Sequence, residues 1–170
     1  MFKLRFPASE LTHWAALNTD KGYLPFQSSI GPAVSKRGYM ERAEFLQMCA
    51  WKSPRTKSRC KTNSEDYIKE VTAVALSSSN EQLRIQVLTL LFGVNWPTAS
   101  VILHFCSKEP YPILDFRALW SLSINKPPLY NFQFWWAYTE FCRALAKSHS
   151  LTMRELDKAL WQYSKSHQNA

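Results

Sequence analysis

Apolar residues recur along this chain at intervals of three and four rather than in alternation, and that spacing predicts helices almost throughout. Residues 8–18 read as a short helix with Ser9 as its cap. Phe45, Leu46 and Cys49 share one face of a helix over 40–51, which stops at Ser53-Pro54 because the residue before a proline avoids the αR region. Tyr67, Ile68, Val71, Val74 and Ala75 mark the next helix, opened by Thr62-x-x-Glu65 read as a capping box and running through Ser77. Ser78-x-x-Glu81 opens a further one with Leu83, Val87, Leu90 and Leu91 as its stripe. After a break, Val101, Ile102 and Phe105 form the buried face of a helix that starts near Pro97, whose missing N–H is no loss in a first turn. Another helix starts at Asp115 and its unit ends at Pro127-Pro128; two more follow, over 130–147 and 152–165. The last opens with Thr152-x-x-Glu155 and carries Leu156, Leu160 and Tyr163 on one face. The stretch 20–38 holds three of the four glycines and two prolines and reads as a loop or lid. The predicted class is all-α, without heptads, repeats or low-complexity tracts.

At 170 residues the chain suffices for one compact domain or two small helical lobes. Hydrophobic residues at 46% and charged residues at 20% place it among globular proteins rather than disordered ones. Twenty-one Lys and Arg against thirteen Asp and Glu leave +8, a surplus that attracts polyanions, nucleic acid first and anionic membrane second; a basic protein that is merely soluble is the plain alternative. Cys49, Cys60, Cys106 and Cys142 have no CxxC spacing, which argues against zinc and against an iron–sulfur cluster, and the four histidines show no metal-ligand spacing. Cys49, Cys106 and Cys142 read as core thiols. No stretch approaches the roughly 18 apolar residues of a membrane span, and Pro7, Glu10 and His13 interrupt any leader-like run, so an intracellular, reduced setting is expected, cytoplasmic or with the nucleoid or nucleus.

The break itself is LLFGVNWP. A helix ending at Gly93, a tight turn and a new helix near Pro97 make a short helical hairpin. Gly93 suits a left-handed C-cap, Val94 can point inward and pin the turn, and Asn95 is the non-glycine residue that best tolerates positive φ. Exposed amides at the start of the second helix would then form a positive nest suited to one phosphate.

With the downstream YPILDFRAL, these residues resemble the helix–hairpin–helix signature of the DNA glycosylase superfamily, the HhH-GPD group. Leu91, Gly93, Val94, Ala99, Ile102, Pro112 and Asp115 fall on that pattern, and the match covers about residues 83–120. The resemblance implies two helical lobes joined by the hairpin within a single unit: an N-terminal helix and loop (1–38), a lobe ending in the hairpin (39–107, hairpin 83–107), and helices completing the second lobe (108–170). It implies double-stranded DNA as partner, gripped by Gly93, Val94 and Asn95 together with Trp96 and Thr98, and a monovalent cation, K+ or Na+, on the turn carbonyls. It implies Asp115 as the carboxylate that stabilises the oxocarbenium sugar while a flipped base is cleaved from it. Asn95 departs from the second glycine of the pattern. Pro97 stands where bifunctional members carry a Schiff-base lysine, so the implied enzyme is a monofunctional N-glycosylase without lyase chemistry and without a small-molecule cofactor. A non-catalytic DNA-binding relative is the second reading, and a helical scaffold for an acidic protein the third.

Asp115 is also a natural N-cap for FRALWSL, and both roles are compatible. A second candidate surface is WKSPRTKSRCK, in which Lys52, Arg55, Lys57, Arg59 and Lys61 are interleaved with no acid. Lys52 and Arg55 are its proposed phosphate contacts, although charge runs are usually solvated loops. Trp51 at a helix end reads more readily as a core anchor than as a base-stacking plate. The aromatics of FQFWWAYTEF read as core or interlobe packing rather than a nucleic-acid platform, and Arg117 and Arg154 are open to acids or phosphates alike.

Overall fold

The computed structural model describes residues 2–168. In chain order the helices are α1 Leu11–Leu17, α2 Gly31–Arg37, α3 Arg42–Lys52, α4 Lys57–Cys60 and α5 Glu65–Ser77. They continue with α6 Glu81–Leu88, α7 Trp96–Cys106, α8 Phe116–Ser121, α9 Phe132–Ser148 and α10 Met153–His167. The described residues contain no strand, so the all-α expectation holds. None of their helices is long and apolar enough to cross a membrane.

Two compact units share the chain. One combines the residues up to Asp20 with those from Tyr111 onward; the other is Lys21–Pro110. The division therefore falls within the segment expected to be a loop, and the first twenty residues join the C-terminal helices rather than their sequence neighbours.

In the discontinuous unit, α10 is the central element, flanked by α1 and α8. Leu11 and Ala15 of α1, Ala118 and Leu119 of α8 and Leu156, Ala159 and Leu160 of α10 are all buried. The Ser121 hydroxyl donates to the Leu160 carbonyl at 2.6 Å, satisfying a polar group that has no access to water. The segment before α1 is tied down as well, since the Lys3 and Arg5 amides donate to the Leu122 and Ser121 carbonyls. Trp135 stacks on Tyr111 with ring centres 5.7 Å apart, and both are fully buried. Tyr138 is fully enclosed and its hydroxyl donates to the Ile113 carbonyl at 2.9 Å. The aromatic run of α9 thus builds a core, as expected. Arg154 pairs with Asp157 at 2.6 Å, and Arg117 lies over the Phe116 and Trp161 rings. The capping box of Thr152 and Glu155 is formed as read. The Ser9 cap is not: a 3-10 turn spans Ala8–Glu10, and Glu10 occupies the cap position without capping through its side chain, which accepts from the Trp14 indole N–H at 3.0 Å.

The unit Lys21–Pro110 is organised on α7, whose residues from Thr98 to Leu103 are all buried, as is Cys106. Helices α2, α3 and α6 pack on it, and α5 packs on α6 and α3. The stretch expected to be a loop is helical, with a π-turn over Phe26–Ile30 leading into α2. Its glycines and prolines serve packing. A Cβ on Gly31 would lie well inside van der Waals distance of the Phe105 carbonyl oxygen and 2.6 Å from that of Phe26. Glycine is there to let α2 reach α7. A π-turn shifts the hydrogen-bond register just before Pro32, which has no N–H to donate. Trp51 lies against Phe26 and Phe105, with centroids 5.4 and 6.0 Å away, as a core anchor would.

Two helix starts differ from expectation by a residue or two. Ser64 caps α5 and Asn80 caps α6 through their side chains, whereas the Thr62 hydroxyl turns back to the Arg59 carbonyl and Ser78 accepts from the Asn80 amide. The buried positions are Ile85 and Leu88 of α6 and Leu91 just beyond it, while Leu83 and Leu90 lie outside. All four thiols are buried, and burial pushes Cys106 up to about 12, which keeps that thiol protonated near neutral pH.

Candidate nucleic-acid interface

Helix α6 ends at Leu88, earlier than Gly93, and turns carry the chain on to α7. Gly93 has φ +82°, the left-handed conformation expected of it. Val94 is 7% exposed, so it does pin the turn from inside. Asn95 does not adopt positive φ: at −120° it is extended and serves as N-cap of α7. Its side-chain oxygen accepts from the Thr98 amide and hydroxyl, each at 3.3 Å, and its carbonyl accepts from the Ala99 amide. Asn95 therefore serves this turn as a cap and not through a left-handed conformation. Thr98 is fully buried, so its hydroxyl belongs to the cap and not to the surface. Trp96 is half-buried at the first position of α7. Pro97 has no N–H and Thr98 is buried beneath the Asn95 cap, so what this helix end offers an approaching phosphate is its dipole.

The turn is seated on the basic segment. A Cβ at Gly93 would lie 2.6 Å from the Cys60 sulfur, 3.0 Å from its amide nitrogen and 3.1 Å from the Thr56 carbonyl oxygen. That segment is a 3-10 turn over Pro54–Thr56 followed by the single-turn helix α4. Arg55, Lys57, Arg59 and Lys61 on it are exposed, and among the described residues no carboxylate pairs with them. Lys52, the last residue of α3, is half-buried.

What joins the two pieces is Asn63, which is 2% exposed and which the sequence reading passed over. Its amide donates to the Cys60 carbonyl at 2.9 Å and the Phe92 carbonyl at 3.0 Å, and its oxygen accepts from the Phe92 amide at 2.9 Å. The only sequence signal for it is the Asn before the true cap Ser64. Asn63→Ala would leave the carbonyl and amide of Phe92 without their partner and take one of its two Asn63 donors from the Cys60 carbonyl, which destabilises by about 2 kcal/mol. Urea unfolding of the variant should show this drop, with Asn63→Asp at least as destabilised because its carboxylate would face the Cys60 and Phe92 carbonyl oxygens.

The turn carbonyls of Leu90, Leu91 and Phe92 accept from the Tyr67 hydroxyl, the Val94 amide and Asn63. Acceptors already turned to the chain's own donors make a poor cage for K+ or Na+. The described residues hold no cluster of three or more His, Cys, Asp or Glu suited to a metal ion.

Asp115 lies in the discontinuous unit, half-buried, as N-cap of α8, with one carboxylate oxygen accepting from the Arg117 amide at 2.9 Å. Tyr130 is close enough for burial and the Asp115 charge to raise its phenol above the ordinary value. The structure thus collects Gly93, Val94, Asn95, Arg55 and the cations after it on one unit and places Asp115 on the other. A cavity of about 390 Å³ in Lys21–Pro110, lined by Lys36, Arg84 and Lys108 among others, includes none of the candidate residues. Comparison with protein-family models, with curated proteins and with solved structures finds no match to this chain.

Proposed function

We propose that this protein binds double-stranded DNA through one continuous surface made of the hairpin turn and the basic segment. The observation that carries this reading is the seating of Gly93 on Thr56 and Cys60. It makes the start of α7 and four exposed cations neighbours, although more than thirty residues separate them in sequence. A helix N-terminus favours one phosphate, and a row of exposed Lys and Arg favours the next phosphates along the strand. The +8 charge of the chain supports a polyanionic partner, and the resemblance to HhH-GPD proteins names duplex DNA as that partner. Monovalent-cation bridging and Thr98 play no part in it.

The activity attached to the resemblance is monofunctional base excision, with Asp115 as the catalytic carboxylate. The half-exposed carboxylate anchored by the Arg117 amide supports it, since one oxygen held in place orients the other. A DNA-binding relative without catalysis differs from it in one measurable respect. Duplex DNA carrying a cationic pyrrolidine abasic analogue mimics the charged sugar of the transition state, which an excising enzyme binds far more tightly than ordinary DNA. The expected result is a preference for the analogue that Asp115→Asn abolishes while leaving affinity for plain duplex intact, since Asn also caps a helix. Equal affinity for both DNAs in wild type and variant would remove excision and leave the binding protein.

A further inference from the structure

Leu90 and Phe92 stand at the tip of the turn, 60% and 61% exposed, where they contribute little to the core. Their backbone, in contrast, is fixed at every residue. Asn63 holds both the amide and the carbonyl of Phe92, the Tyr67 hydroxyl donates to the Leu90 carbonyl at 3.3 Å, and the Leu91 carbonyl accepts from the Val94 amide. The phenyl ring is therefore displayed by a rigid support, which lowers the entropy lost when it meets a ligand.

The surroundings say which ligand. Through Asn63 the Phe92 carbonyl is one side chain away from the Cys60 carbonyl, the end of α4. Lys57 and Arg59 lie on that helix, and Arg55 and Lys61 flank it. Of the acids at the start of α5, Glu65 is already engaged by the Arg42 amide and Lys69. An exposed aromatic tip beside a row of cations complements a chain whose phosphates run along the cations and whose apolar plates reach the tip. An intact duplex has its bases stacked away from such a ring, and an apolar protein partner would leave the row of cations without a purpose.

We infer that Phe92, backed by Leu90, stacks on a base that is unpaired or unstacked, so that the surface selects DNA with an opened base step over intact duplex. Wedges of this kind bind where the step is already open because no unstacking energy is needed. The inference rests on the DNA-binding reading above and adds to it the form of DNA preferred and the residue that reads it.

The test is fluorescence anisotropy of the full chain with three labelled DNAs of one sequence: intact duplex, duplex with a two-base mismatch bubble, and single strand. Wild type is expected to bind the bubble about tenfold more tightly than intact duplex, the scale of one base–aromatic stack. Phe92→Ala should lose that preference while keeping its affinity for intact duplex and its salt dependence; Phe92→Trp should keep the preference. At 61% exposure neither variant threatens the fold, and circular dichroism checks this. Equal wild-type binding to duplex and bubble, or a preference that survives Phe92→Ala, would overturn the inference and leave the binding reading standing. No salt-sensitive binding to any of the three would overturn both. Self-association that Phe92→Ala abolishes, with no DNA preference, would assign the tip to a second copy of the chain and overturn the inference likewise.

Discussion

Gly31→Ala is expected to destabilise the unit Lys21–Pro110 by about 3 kcal/mol, the upper end of ordinary overpacking. The new methyl group would meet the carbonyl oxygens of Phe105 and Phe26, and both are backbone atoms. A side chain could rotate away; a carbonyl moves only if its helix moves. Helix α2 would have to back off from α7, loosening the contact of Phe26 with Phe105 and Trp51. Gly38→Ala is the control. It has φ +87° but nothing within 4 Å of its Cβ, so only the backbone strain of about 1–2 kcal/mol applies. Urea midpoints for the two variants measure the difference, and a Gly31→Ala variant no less stable than Gly38→Ala would contradict the close approach of α2 to α7.

Gly93→Ala combines the two effects. At φ +82° an alanine carries the left-handed strain of about 1–2 kcal/mol. Its Cβ would also meet the Cys60 sulfur and amide and the Thr56 carbonyl, adding about 1–2 kcal/mol of overpacking. The total expected loss is about 3 kcal/mol, and DNA affinity should fall with it, because the turn can relieve the clash only by lifting off the basic segment. Adding Cys60→Ala removes the sulfur but neither backbone atom, so the double variant should recover part of the stability and not all of it. Full recovery would mean that the turn touches α4 through the sulfur alone.

Much of this architecture was legible in the spacing of apolar residues. The helices at 42–52, 65–77 and 96–106 follow from it to within two residues, and the caps at Asp115 and Thr152 follow from residue type. Three features were hidden for physical reasons. Gly31 and Pro32 look like loop residues because propensity does not register a close helix–helix approach or a π-turn. At α5 and α6, several polar residues precede each helix, and any of them can cap; Ser64 and Asn80 do so because Asn63 is committed to the turn and Ser78 to the Asn80 amide. The exposure of Leu90 was concealed because Leu83, Val87 and Leu90 have helical spacing of their own, whereas α6 buries Ile85 and Leu88 and ends there.

The candidate site was legible only in pieces. Gly93 and Val94 were found where the pattern placed them, whereas Asn95 was assigned the wrong conformation and Thr98 the wrong exposure. Arg55 and the cations after it were visible as a charge run, but nothing in one sequence places a charge run against a turn thirty residues later. Asn63 makes that link through side-chain amide bonds to the backbone, which leave no periodic signature. Phe92 was overlooked because a helix expected to continue to Gly93 conceals the turn that displays it.

The most direct measurement is the salt dependence of affinity for a 25-base-pair duplex, for wild type and for Lys57→Glu/Arg59→Glu. Both side chains are exposed, so the substitutions leave the core untouched. If the turn and the basic segment form one DNA-binding surface, the wild-type affinity falls linearly with salt on logarithmic axes. Each phosphate contact contributes a slope of about −0.9, and the double variant loses close to two such contacts along with most of its affinity. Duplex binding that is absent, insensitive to salt, or unchanged in slope by the two substitutions would contradict the account.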